Sequence, residues 1–160
     1  MHKISIVLKE QVPDIWEKVL PFLDEAVKTS DGRMSTANTF DRIMSQQIFL
    51  WVAYDETTLQ LHGAATTHVT LYDSVKFLTV ELLGGNEFFE WRDQMQQALV
   101  KLAIAEGARG IELIGREGWV RALKDLGWKL TFGMWTVRDV DSSGYYRFGM
   151  LTVRDNGGSG

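Results

Sequence analysis

Gly84, Gly85 and Asn86 stand where an apolar run, Phe77 to Leu83, meets the acidic and aromatic stretch Glu87-Phe88-Phe89-Glu90-Trp91. A strand that ends in glycines at a helix start exposes backbone N–H groups, and the helix dipole favours an anion there. The chemistry such a turn offers is the holding of a phosphate. Its alternative is a tight strand-to-helix connection that binds nothing. Other residue types close off chemistry instead. The chain has no cysteine, which excludes disulfides, thiolate metal sites and a cysteine nucleophile. Its three histidines, His2, His62 and His68, lack HxxxH or HExxH spacing, so spacing assigns no metal to any of them.

The elements that must position this turn follow from hydrophobic period. Ile4, Ile6 and Leu8 alternate with Lys3, Ser5 and Lys9, which predicts a half-buried first strand. Ile15, Trp16, Val19, Leu20, Leu23 and Val27 recur at helical spacing after Pro13, and Pro21 predicts a kink or two short helices. Ser35 to Gln47 reads as a second helix with Phe40, Ile43 and Met44 inward. Ile48 to Tyr54 and Leu59 to Thr70 read as strands joined by the turn at 55–58, with a bulge or close approach at Gly63-Ala64-Ala65. A second turn at Tyr72-Asp73-Ser74 leads into the run from Phe77, completing a three-strand antiparallel meander.

Asn86 can cap the next helix, Glu87 to Glu106, whose inward face carries Trp91, Met95, Ala98, Leu99 and Leu102 and which Gly107 stops. Ile111 to Ile114 is a short strand, Trp119 to Leu126 a helix stopped by Gly127, and 129–140 and 145–154 a final pair of strands. The order is β-αα-βββ-α-β-α-ββ, an α/β fold with one mixed sheet and helices on its faces. The last two strands contain the related stretches FGMWTVRDV, from Phe132, and FGMLTVRDN, from Phe148. Two copies are too few for a solenoid and read as chance or a local duplication.

The 160 residues suit one domain, 1–155, followed by a Gly/Ser-rich tail, 156–160. A net charge of −4 without any Lys/Arg run argues against nucleic acid as partner. No segment reaches the roughly 18 apolar residues of a membrane span, and the N-terminal stretch is too short and charged for a signal peptide, so a cytoplasmic protein is expected.

This order of elements resembles the GNAT (N-acetyltransferase) superfamily over roughly Ile4 to Arg154. The most specific stretch is LLGG followed by Trp91, then AEGARGIELIGREGWVRALKDLGWKL. It is similar to a branch of GNAT-like proteins common in bacteriophage genomes, in which an IEL strand precedes a GR-x-GW turn and a helix ending in Leu-Gly-aromatic. The resemblance implies an acetyl-CoA site at Leu82, Leu83, Gly84, Gly85 and Asn86, with Glu81 near where many members carry a general base. Glu81 reads equally as the polar-face residue of a strand.

The departures from the family pattern are local. Active members usually carry Q/R-x-x-G-x-G/A at this turn, where the chain has GGNEFFEW. Glu87, Glu90 and Asp93 surround it against Arg92 alone, so CoA phosphates would meet like charge. The family's general-acid tyrosine, four residues before the glycine of the fourth-helix stop, is Leu123. Tyr72, His68, Tyr145 and Tyr146 could replace it or be packing residues. Arg116 and Arg121 could serve a CoA phosphate or be solvated.

Two functions follow. One is an acetyl-CoA-dependent N-acetyltransferase. The other keeps the fold without the chemistry: no cofactor, and a role as a structural or interaction component of a phage particle, held in the host cytoplasm or the virion. Its partners would be other protein chains or further copies of this one. Six tryptophans, Trp91, Trp119, Trp128 and Trp135 among them, suit interface anchors or core.

Overall fold

The computed structural model describes residues 1–28, 34–116, 121–130 and 145–150. The alternating N-terminal residues form β1 (His2–Ile6), shorter than its apolar pattern, which ran to Leu8. β1 pairs antiparallel with β2 (Phe49–Asp55), Ile4 lying opposite Ala53. β2 pairs antiparallel with β3 (Leu61–Leu71). A turn at Tyr72, whose N–H donates to the Val75 carbonyl, leads into β4 (Lys76–Gly85).

β5 (Gly110–Arg116) runs parallel to β4, with Thr79 opposite Glu112. Short β6 (Lys129–Leu130) and β7 (Tyr145–Met150) complete a seven-stranded sheet in the order β1-β2-β3-β4-β5-β7-β6. The mixed, mostly antiparallel α/β architecture expected from the sequence is present. The repeated FGM stretches, Trp119 and Trp135, and the tail at 156–160 lie wholly or largely outside the described residues.

The helices are α1 (Val12–Lys28), α2 (Thr36–Met44) and α3 (Phe88–Ala105). α1 is one helix through Pro21, where two had been an alternative. A proline removes a single N–H donor, while Val12, Val19, Leu23 and Ala26 on both sides of it are buried and hold the two halves to one core. Ser35 caps α2 by accepting from the Asn38 N–H at 3.1 Å. Residues 121–126 are helical, and Gly127 at φ 93° provides the left-handed stop.

The chain divides into two compact units that share β3, β4 and α3. The first comprises Met1–His68 and Leu82–Met95. Its core joins Val12, Val19 and Leu23 of α1 and Ile43 of α2 to Leu50, Val52, Ala64 and Leu82 of the strands. A buried polar pair lies within it: the Trp51 indole N–H donates to Thr67 Oγ1 at 2.8 Å. The second comprises Val69–Glu81 and the described residues from Gln96 on. Leu78, Val80, Leu99, Ile111, Leu113, Leu123 and Trp128 are among its buried apolar residues. Trp128 is fixed there by donating its indole N–H to Gln96 Oε1 at 2.8 Å.

Candidate functional site

The sequence placed a break at the glycine pair, yet β4 continues through Gly85. Contacts on the glycines explain this. A Cβ on Gly84 would stand closer than 3.0 Å to the Phe22 carbonyl oxygen of α1. One on Gly85 would crowd the His62 carbonyl and the Gly63 Cα in the same way, and one on Gly63 would overlap the Trp91 ring. Gly63 and Gly85 are therefore the seat on which the Trp91 indole rests, Gly84 admits the Phe22 backbone, and the strand is continuous because its missing side chains admit helix and indole.

Polar groups of the turn are engaged within the first unit. The Asn86 N–H donates to the His62 carbonyl at 2.8 Å, and the Asn86 carbonyl accepts from the Trp91 indole N–H at 2.8 Å. Asn86 Oδ1 lies 3.0 Å from His62 Nδ1, so the side chain expected to cap α3 turns to β3 instead. Glu87 stands before α3 at φ 55°, and its carboxylate reaches His62 Nδ1 at 2.9 Å. Phe88 packs edge-on against Trp91, with ring centroids 4.9 Å apart, and is buried. Phe89 is exposed and carries the Arg92 guanidinium over its ring at 4.5 Å. The Arg92 cation beside the turn thus stacks on an aromatic face.

The remaining site residues lie as follows. Leu82 and Leu83 are buried, and Leu82 belongs to the core of the first unit. Glu81 is half-buried in the second unit. Leu123, where the resemblance places an acid, is fully buried in the second unit. Arg121 is exposed and His68 half-buried, while the side chains of Arg116, Tyr145 and Tyr146 lie outside the described residues. Trp91 and Trp128 are core residues, 2% and 3% exposed, and do not serve as surface anchors.

A polar cluster in the second unit was not foreseen. Glu112 is 4% exposed, and its Oε2 accepts from the Tyr72 hydroxyl at 2.7 Å and from Thr79 Oγ1 at 2.9 Å. Thr79 has one proton and gives it to Glu112, so the Thr70 hydroxyl in contact with it is the donor of that bond. Two donors thus converge on a carboxylate removed from water, and Thr70 satisfies the second of them in turn, the arrangement a buried charge requires. The sequence signal was the pairing of Thr79 with Glu112 on parallel strands, which no local pattern reveals.

A second cluster draws on residues the sequence had set aside. His62 is the extra residue of a β-bulge, since Ala53 pairs with Gly63 and Tyr54 with Leu61. Its ring meets that of His2 edge-on, with centroids 4.8 Å apart. With Glu87 at the start of α3, two imidazoles and a carboxylate share one locus.

No protein-family model and no curated protein matches the sequence. Solved structures do match across nearly the whole chain. The AtaT structure complexed with acetyl-methionyl-tRNAfMet aligns with TM-score 0.64 and 12% identity, covering 98% of each chain. AtaTR bound with acetyl-CoA aligns with TM-score 0.59 and 11% identity, covering 96% of each chain. A GNAT-family acetyltransferase from Streptococcus agalactiae aligns with TM-score 0.59 and 15% identity, covering 94% of this chain and 95% of that one. The element order, the parallel β4–β5 pair and these alignments together establish that the chain has the GNAT acetyltransferase fold.

Proposed function

We propose that the chain is a GNAT-fold protein that no longer uses acetyl-CoA and acts by binding other protein chains, as a structural or interaction component of a bacteriophage particle. One observation carries the first part. The turn that would cradle a diphosphate has its glycines filled by the Trp91 indole and the Phe22 carbonyl, and its Asn86 N–H given to His62. A diphosphate needs those amides free and the glycine faces open. Exposed Glu87 and Glu90 add like charge at the same place. Leu123 removes the family's acid. The phage setting rests on the sequence resemblance of the IEL and GR-x-GW stretches, and a protein partner fits an acidic chain better than nucleic acid does.

Mass spectrometry of purified particles from a phage encoding the chain tests the assignment. Recovery of the protein at a fixed copy number is the expected result, and its absence from intact particles contradicts it.

A second reading, an acetyl-CoA-dependent N-acetyltransferase acting on an amine, is favoured by the Tyr72–Glu112 pair. Tyr72 is among the residues that could replace the missing acid, and Glu112 holds its hydroxyl at 2.7 Å. A thiol-release assay with acetyl-CoA and a panel of amines separates the two readings. Turnover that is lost in Tyr72→Phe supports the enzyme, and no thiol release from wild-type protein supports the binding role.

A further inference from the structure

We propose that His2, His62 and Glu87 form a binding site for one divalent transition-metal ion of the zinc class, with Asn86 beside it. The three side chains come from β1, from the bulge of β3 and from the residue before α3, all within the first unit. One donor atom from each lies within 4.8 Å of the others. Two imidazole nitrogens and one carboxylate oxygen are the donor set that borderline ions such as Zn2+ favour, and a set that Mg2+ and Ca2+, which prefer oxygen, do not.

The geometry is close to what such an ion needs. Donors about 2.0–2.2 Å from a tetrahedral zinc stand roughly 3.3 Å apart. The pair His62 Nδ1 and Glu87 Oε2, at 2.9 Å, is already near that spacing. Glu87 is exposed and its side chain has the rotamer freedom to close the remaining gap, while half-buried His62 is fixed by the bulge.

Two further observations point to a ligand. His2 Nε2 is buried and has no hydrogen-bond partner among the described residues, an unfavourable state that a bound ion relieves. Glu87 adopts φ 55°, a left-handed conformation that costs a non-glycine residue energy and places its carboxylate against His62. Asn86 Oδ1, 3.0 Å from His62 Nδ1, is placed to serve as a fourth donor. The ion would tie the start of β1 to the β4–α3 turn and so brace the turn whose polar groups are already turned inward. The site does not depend on whether the chain transfers acetyl groups.

The test uses the full chain without a purification tag, stripped with chelator and titrated with zinc chloride in a calorimeter. The expected result is saturable binding of about one ion per chain, with affinity reduced about ten-fold or more in H62A and in E87Q and unchanged in H68A. E87Q keeps the shape of the side chain, so the test survives if H62A fails to fold. Cobalt(II) supplies a second readout: visible absorption bands of a low-coordinate ion in wild type, lost in E87Q. Absence of saturable zinc binding, or binding in E87Q equal to that of wild type, overturns the proposal.

Discussion

β4 begins and ends in different chemistry. Near its start Thr79 joins Thr70, Tyr72 and Glu112 in a buried network whose donors all find an acceptor. At its far end the side chains vanish at Gly84 and Gly85, and an indole and a helix carbonyl fill the space. Polar groups there are also satisfied, but by the turn's own neighbours on β3 and α3. The contrast teaches that a glycine pair before a helix is not by itself an anion site. What matters is whether anything already occupies the faces that the glycines leave bare, and here Trp91 does.

Trp91→Ala is the strongest way to break this contrast. It removes a ring that is 2% exposed and rests on Gly63 and Gly85, and should cost about 4 kcal/mol in urea unfolding. If the turn is closed only by this ring, the same variant should also gain measurable affinity for CoA. A stability loss under 1 kcal/mol, within the range of a surface change, would show the indole is not the closing element.

Gly84→Ala comes next, at about 3 kcal/mol, because the new methyl meets the backbone carbonyl of Phe22 and not a side chain that could rotate away. Chemical denaturation measures it, and a neutral result would mean that α1 yields at Phe22. At the opposite end of β4, Tyr72→Phe should cost about 2 kcal/mol, since it withdraws one of two donors from a buried carboxylate. A cost equal to that of a surface substitution would show that water replaces the lost donor and that the network is more open than its burial indicates.

The smallest effect concerns Asp55, the last residue of β2. Its carboxylate accepts the N–H groups of Thr58 and Thr57, and these bonds, the first the larger cause, hold its pKa below the ordinary 3.8. A carboxyl whose folded pKa is depressed contributes stability that is present above its unfolded value and lost as pH falls through the folded one. Asp55→Asn should therefore lower the neutral plateau slightly and flatten the fall in stability below about pH 4. Urea midpoints collected across that range check the sign, and a steeper acid limb in the variant would contradict it.

Much of the fold was legible because its signals are local. The alternation of β1, the meander and the inward face of α3 each depend on residues a few positions apart. Pro21 misled toward two helices because tertiary burial outweighs one lost donor. The candidate site was half legible. The sequence located the turn and the acidic residues around it, but not the packing of Gly63 and Gly85 against Trp91, which joins β3, β4 and α3.

The same reason hid the Glu112 network and the His2–His62–Glu87 locus. His62 reaches Asn86 and Glu87 only because a bulge inserts it into β3, and the sequence pointed to a bulge one residue away, at Gly63. Spacing rules for metal ligands detect donors on one helix or loop, and these three sit on separate elements.

Calorimetric titration of the wild-type chain with acetyl-CoA, carried to millimolar concentration, bears most directly on the claim that the β4–α3 turn is closed. No saturable heat is expected. A saturable isotherm from a CoA-bearing ligand, weakened when Asn86 is replaced, would contradict it.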